Sequence, residues 1–158
     1  MDHREHRYTL RLDWEGNRGS GTSSYTAYGR EHRLSAPGKG TIAGSSDAAF
    51  RGDASRWNPE ELLVASLATC HQLWYLHLAA DAGIGVLAYH DEPEGWMVED
   101  ADHGGHFRRV VLRPTVTIRA GDDAARAAAL HQRAHHLCFI ANSVKFEVAC
   151  EPTTVRGS

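Results

Sequence analysis

The sequence predicts an α+β fold in which blocks of short strands are separated by two helices. Several short segments alternate between apolar and polar residues, which is typical of half-buried strands. Two longer segments carry helix-start signals and residues that favour helices. Because the order is strands, helix, strands, helix and strand, we expect mostly antiparallel pairing of the strands.

The first part of the chain predicts short strands followed by a long irregular segment. Residues 8–14 alternate clearly, residues 16–21 form a glycine-rich turn, and residues 22–28 and 31–34 predict two further strands of a meander. Residues 35–57 contain proline and several glycines, which disfavour a long element. An irregular segment of this length is uncommon in a compact domain, so we expect a functional loop there.

The strongest helix signal begins at Asn58. Asn58 can cap a helix, Pro59 fits the first turn, and Glu61 completes a capping box three residues after the cap. We therefore predict a helix over residues 59–82 that ends at Gly83. Its middle is apolar on nearly all faces, so we expect burial on several sides, either in a large core or against a second subunit.

The remaining part predicts three strands, a second helix and a closing strand. The three strands are expected at residues 86–92, 95–98 and 107–118. Pro114 suggests that the third strand lies at a sheet edge or contains a bulge. Asp122 or Asp123 can cap an alanine-rich helix over residues 124–139, and alternation predicts a last strand at 145–151.

Composition limits the class of protein. A chain of 158 residues with 42% hydrophobic residues suits a single domain over residues 1–158. A net charge of -3 gives no indication of a basic surface that would bind nucleic acid. No apolar run is long enough for a membrane span. Residues 1–7 lack the apolar core of a signal peptide. The three cysteines then fit a cytoplasmic protein with catalytic, metal-binding or structural thiols.

Cys70 and Cys138 are the leading candidates for chemistry. Cys70 lies well inside the first predicted helix, too far from the helix N-terminus for the helix dipole to stabilise a thiolate, so a reactive thiolate needs a cation from another segment. A buried structural thiol is the alternative.

Glu60 precedes Cys70 by ten residues, about 15 Å along one helix. Glu60 can therefore serve Cys70 only from a second subunit or through an arginine. The alternative is that Glu60 is a first-turn acid whose negative charge interacts favourably with the helix dipole.

The second predicted helix offers a possible metal site. His131, His135 and Cys138 recur at i, i+4 and i+7, on one helical face. Two imidazoles and a thiolate could bind zinc or copper, although no fourth ligand follows at motif spacing. The alternative is that the histidines are surface or interface residues, and we interpret Cys150 on the last strand as structural.

Four arginines precede the Cys70 helix and could supply the cation that a thiolate needs: Arg18, Arg30, Arg51 and Arg56. Arg51 lies in the irregular segment, from which a side chain can fold over a helix. Each could equally be a solvated surface charge. Trp57, Trp74 and Tyr75 could line an apolar pocket near Cys70, or simply belong to the core.

These residues together resemble the OsmC/Ohr family, the osmotically induced and organic hydroperoxide resistance proteins. The resemblance rests on Asn-Pro-Glu-Glu-Leu at residues 58–62, Cys70 ten residues after Glu60, and Cys138 ahead of a closing strand. It covers most of the chain. It implies an intertwined homodimer with antiparallel sheets wrapped around two central helices and with both sites at the subunit interface.

The resemblance also implies a Cys-based peroxidase that reduces organic hydroperoxides to alcohols. Cys70 would be the peroxidatic thiolate, Cys138 the resolving thiol, and Glu60 the acid that orients the activating arginine. Arg51 is our choice for that arginine, with Arg18 at the position that the Ohr branch uses. An external dithiol, often a lipoyl group in the family, would reduce the resulting disulfide, and no cofactor is implied.

Three departures from the family pattern indicate a divergent OsmC-like branch. Arg51 lies one or two places from the expected arginine position, His71 replaces an apolar aromatic residue after Cys70, and Phe139 replaces a proline after Cys138. We expect a different substrate preference. The alternative function is a non-enzymatic OsmC-like dimer that binds a metal or a small apolar ligand.

Overall fold

The computed structural model describes residues 3–158, which form two compact units that divide at Leu62 and Leu63. Met1 and Asp2 lie outside the described residues, and with them the start of the segment that we used to predict the lack of a signal peptide. Strands and helices occur in the predicted order of blocks, which confirms the α+β class. The expectation of one domain over residues 1–158 stays a prediction.

The first unit is a small antiparallel sheet with long connections. Its strands are β1 (Arg11–Trp14), β2 (His32–Ser35) and β3 (Ile42–Gly44), in the order β1-β2-β3. The strand predicted over residues 22–28 is wrong, because these residues form successive turns. Arg30 organises them: its guanidinium lies over the rings of Tyr25 and Tyr28 and donates to the Tyr25 carbonyl oxygen.

The segment predicted to be irregular contains two short elements. One is β3, in which any side chain at Gly44 would overlap the imidazole of His32 on the neighbouring strand. The other is a 3-10 helix, Ala48–Phe50, capped by the Asp47 carboxylate. It ends at Arg51, whose φ of 64° lies in the left-handed region.

The long helix α1 spans Pro59–Asp81, in close agreement with the prediction. The capping box forms as expected: the Asn58 side chain accepts from the Glu61 amide, and the Glu61 carboxylate accepts from the Asn58 amide. Gly83 ends the helix with a φ of 71°. The buried residues of α1 lie four apart and form one stripe: Leu67, His71, Tyr75 and Ala79.

The second unit pairs two three-stranded sheets with the helices. Its remaining elements are β4 (Val86–Asp91), β5 (Glu94–Glu99), β6 (Gly105–Leu112), β7 (Pro114–Ile118), α2 (Ala124–Leu137), β8 (Glu147–Cys150) and β9 (Thr153–Arg156). The sheet orders are β4-β7-β9 and β5-β6-β8. Pairing is antiparallel for β4 with β7 and β5 with β6, but parallel for β7 with β9 and β6 with β8.

The strand predicted over residues 107–118 is in fact two strands in different sheets. The chain leaves one sheet at Arg113, whose amide donates to the Asp91 carboxylate, and enters the other at Pro114. Pro114 is the first residue of β7. Proline has no N–H to donate to a neighbouring strand, and the first residue of a strand is a position where this is tolerated. Since β7 is the central strand of its sheet, the predicted edge position is wrong.

The C-terminal elements agree with the prediction except that one further strand follows. Helix α2 begins after Asp123, whose carboxylate accepts from the Arg126 amide, so Asp123 and not Asp122 is the cap. The predicted last strand is β8, and the sequence analysis missed β9 beyond it.

The hydrophobic core of the second unit has two clusters that both use α1. One packs Tyr75 and Ala79 against Val116, Ile118 and α2. The other packs Leu67 against Val110, Leu112 and Val148. Within residues 3–158 no helix combines the length and hydropathy needed to cross a bilayer.

Candidate functional site

The second unit brings Cys70 and Cys138 together, as the family resemblance implies. Cys70 projects from α1 and is half-buried, whereas Cys138 directly follows α2 and is only 1% exposed. Both are free thiols. The Cys70 thiol interacts with the Cys138 thiol closely enough to contribute to a raised pKa at Cys138.

The environment of Cys138 keeps its thiol protonated. Burial is the main cause that raises its pKa to about 11, and the neighbouring Cys70 adds to the effect. The Ala141 amide donates to the Cys138 sulfur at 3.4 Å, which opposes the shift but does not cancel it. The two cysteines are therefore unequal: one is partly accessible and the other is buried and protonated at neutral pH.

Two aromatic side chains flank the cysteine pair. Trp74 lies one turn after Cys70 on α1, and Phe139 directly follows Cys138. Their rings meet edge to face, with centroids 5.4 Å apart. Trp74 is half-buried and Phe139 is 68% exposed, so an apolar surface adjoins both thiols. Tyr75 instead belongs to the core, where its hydroxyl donates to the Ala127 carbonyl.

Glu60 and the candidate arginines lie in the first unit. Glu60 is half-buried in the first turn of α1. Arg56 pairs with Asp53 and donates to the His32 carbonyl, and Arg30 is held by its two tyrosines. Arg51 is exposed, and within residues 3–158 it has no ion-pair partner. The roles of Glu60 and Arg51 stay predictions.

A second group of polar side chains is buried in the same unit. His71, His131 and Cys150 come from α1, α2 and β8. Nε2 of His71 lies 3.0 Å from Nδ1 of His131, and the Cys150 sulfur lies 3.7 Å and 4.0 Å from these nitrogens. Burial lowers the pKa of both imidazoles to about 4, so each is neutral at physiological pH.

This group differs from the metal face that we considered as an alternative on the second helix. His131 turns inward toward His71 and Cys150, Cys138 faces Cys70, and His135 is exposed. Among the described residues, the group with metal-ligand spacing is the buried one, not the i, i+4, i+7 set. Sequence reasoning noted His71 only as a departure from the family and interpreted Cys150 as structural. No short-range signal links them, since their contacts join residues 60 and 79 positions apart.

Comparisons with known proteins agree with the fold. The family model described as OsmC-like protein matches residues 52–153. A curated relative, the uncharacterized protein YmaD of Bacillus subtilis, is 24% identical over 91% of this chain and 90% of its own length.

Solved structures show the same fold. An OsmC-like protein of unknown function from Vibrio cholerae is 28% identical, with a TM-score of 0.84 over 94% of this chain and 99% of that one. An organic hydroperoxide resistance protein OsmC from Legionella pneumophila is 20% identical, with a TM-score of 0.68 over 96% of this chain and 99% of that one. At 20% identity, the similarity to the Legionella pneumophila protein indicates the fold alone.

Proposed function

Because this chain belongs to the OsmC-like protein family, we propose that it is a thiol-dependent peroxidase that reduces organic hydroperoxides to alcohols. The observation that carries the proposal is the proximity of the half-buried Cys70 to the buried Cys138. The Legionella pneumophila protein of the same fold is named for organic hydroperoxide resistance, which supports this choice of reaction.

In the first step the Cys70 thiolate attacks the outer oxygen of ROOH. A sulfur–oxygen bond forms as the oxygen–oxygen bond breaks, and RO⁻ takes up a proton and leaves as the alcohol. Cys70 is oxidised to a sulfenic acid while the hydroperoxide is reduced. Its partly accessible position fits this role, because peroxide must reach the sulfur that it oxidises.

In the second step Cys138 resolves the sulfenic acid. Its sulfur attacks the Cys70 sulfur, the thiol proton and the departing hydroxide leave together as water, and a Cys70–Cys138 disulfide forms. Burial and the raised pKa of Cys138 keep it a thiol while it awaits the sulfenic acid. An external dithiol, of which a lipoyl group is one type, then reduces the disulfide.

The remaining family roles belong to the same proposal. Arg51 would stabilise the Cys70 thiolate and Glu60 would orient Arg51. Because ten residues of helix separate Glu60 from Cys70 in one chain, an arginine or a second subunit must connect them. We therefore include an intertwined homodimer in the proposal.

The aromatic surface of Trp74 and Phe139 favours hydroperoxides with an apolar R group. Burying an alkyl or aryl group against these rings contributes about 25 cal/mol per Å² removed from water. Hydrogen peroxide has no such group. We expect the enzyme to prefer bulky organic hydroperoxides for this reason.

The test counts thiols before and after one equivalent of cumene hydroperoxide and then maps any disulfide by peptide mass. We expect rapid loss of Cys70 and Cys138 together, with Cys150 unchanged. The same result in a Cys150→Ser variant would show that the third thiol takes no part. Survival of all three thiols would contradict the proposal.

A further inference from the structure

The His71–His131–Cys150 cluster lies in the interior of the second unit and has no part in the proposed peroxidase reaction. His71 is 1% exposed and His131 is 3% exposed, while Cys150 is half-buried. Three different elements each contribute one side chain, so the cluster depends on the tertiary fold. A buried polar group of this size needs an explanation, because burying polar atoms costs free energy unless they are paired.

The two imidazoles face each other edge to edge. Their planes are 3° from parallel, and their centroids are 5.3 Å apart. Nε2 of His71 lies 3.0 Å from Nδ1 of His131. With the nitrogens at that distance, the ring centroids could hardly lie farther apart than they do. The two nitrogens therefore lie close to the line between the ring centres, and one imidazole donates a single N–H···N hydrogen bond to the other.

Nearby polar atoms remain without partners. Nε2 of His131 and Oδ2 of Asp91 are buried, and neither has a hydrogen-bond partner within residues 3–158. The other Asp91 oxygen accepts from the Arg113 amide. The Asp91 carboxylate acts on Cys150 as a nearby negative charge, which adds to the burial that raises the pKa of this thiol to about 12. The Asp91 carboxylate therefore lies near the Cys150 thiol.

We propose that His71, His131 and Cys150 bind a divalent transition-metal ion of the Zn²⁺ class. Two imidazole nitrogens and a thiolate form a donor set that zinc prefers. Zinc bonds of about 2.0–2.1 Å to nitrogen and about 2.3 Å to sulfur place tetrahedral ligand atoms about 3.3–3.6 Å apart. The observed separations of 3.0, 3.7 and 4.0 Å bracket that range, so small side-chain movements complete the site.

Ion binding replaces the hydrogen bond between the imidazoles. An ion midway between nitrogens 3.0 Å apart would be too close to both, so it lies off that line, on the side of Cys150. Each ring turns so that its nitrogen lone pair meets the ion. The donor imidazole then carries its proton on its other nitrogen, and the thiol proton leaves to solvent. The dication is neutralised by the Cys150 thiolate and the nearby Asp91 carboxylate.

A cavity of about 340 Å³ leads to the cluster and provides an entry path for the ion. His131 and Cys150 line it, together with Val148 and Pro152. His135, one turn after His131 on α2, lines the same cavity. A water molecule or this imidazole can therefore supply the fourth ligand from the cavity side.

The first experiment titrates chelator-treated protein with Co²⁺, which accepts the same nitrogen and sulfur ligands and reports thiolate bonding through a charge-transfer absorption. We expect one Co²⁺ per chain with this absorption. Cys150→Ser should abolish the absorption, whereas Cys70→Ser should retain it. His131→Gln should abolish stoichiometric binding, and His136→Gln, an exposed histidine on the same helix, should not.

The second experiment needs no variant and therefore does not depend on whether a buried substitution folds. The unmodified protein is alkylated with and without Zn²⁺, for long enough that Cys150 reacts in the sample without Zn²⁺, and each cysteine is followed by peptide mass. Zn²⁺ should protect Cys150 while Cys70 continues to react. Equal alkylation of Cys150 in both samples, or a charge-transfer absorption that persists in a folded Cys150→Ser variant, would overturn the proposal. Both readouts are independent of peroxidase turnover.

Discussion

At the scale of single residues, Cys70 and Cys138 differ in environment although they lie side by side. Both follow or occupy helices, but Cys138 is enclosed by the turn that contains Ala141, and Cys70 remains half-buried. The difference in burial assigns them different roles in the proposed reaction. The family resemblance implied the pair, but the unequal exposure of the two thiols depends on packing.

The first prediction separates these roles by serine substitution. Cys70→Ser should reduce turnover of cumene hydroperoxide to the uncatalysed rate, because no sulfur remains to accept oxygen. Cys138→Ser should allow one rapid reaction per chain, followed by over-oxidation of Cys70 to sulfinic acid. Turnover assays with a dithiol and mass spectrometry of the Cys70 peptide measure both effects. Full turnover by the Cys138→Ser variant would contradict the proposal that Cys138 resolves the sulfenic acid.

The second prediction concerns alkaline pH. The pKa of Cys138 is about 11 in the folded protein, against an ordinary value of 9.0. A pKa raised by folding gives a contribution to stability that is complete below the ordinary value and is lost as pH rises toward the folded value. The unfolding midpoint of the native protein should therefore fall more steeply between pH 9 and about pH 11 than that of Cys138→Ser. Parallel curves in urea titrations would contradict this.

At the scale of elements, local signals determined where the helices begin and end. The capping box at Asn58 and the turn at Gly83 bound α1 as predicted, because both depend on contacts within a few residues. Strand bounds were less accurate. The split at Arg113 follows from a hydrogen bond to Asp91, which lies 22 residues away.

The third prediction tests the end of α1. A Cβ at Gly83 would meet no atom within 4 Å, yet its φ of 71° is unfavourable for any residue with a side chain. Gly83→Ala should lower the free energy of unfolding by about 1–2 kcal/mol through backbone strain alone. Gly121→Ala is the matched control, because it is equally uncrowded and lacks a positive φ. Equal stability of the two variants in urea would exclude the strain argument.

At the scale of the whole molecule, helix α1 presents apolar residues that its own unit does not cover. Leu73 is 66% exposed on a helix whose opposite stripe is fully buried. The apolar faces of this helix predicted burial in a large core or against a second subunit. The homodimer implied by the family resemblance would cover this surface.

The fourth prediction follows from that exposure. The protein should sediment as a homodimer, and Leu73→Glu should weaken the dimer by placing a charge where an apolar side chain is expected to be buried. Analytical ultracentrifugation over a range of concentrations measures the change. If the unsubstituted protein is a monomer throughout, the dimer and the proposal that Glu60 acts across it both fail.

The sequence by itself determined the α+β class, both helices, the cap of α1, and the Cys70–Cys138 pair that the family resemblance implies. Each of these depends on neighbours within a few residues or on a recognisable spacing. Only the tertiary structure decided that two strands pair in parallel at the sheet ends and that His71, His131 and Cys150 meet. Those contacts join distant segments, and they arise because α1 packs in both core clusters while α2 and β8 each pack in one of them.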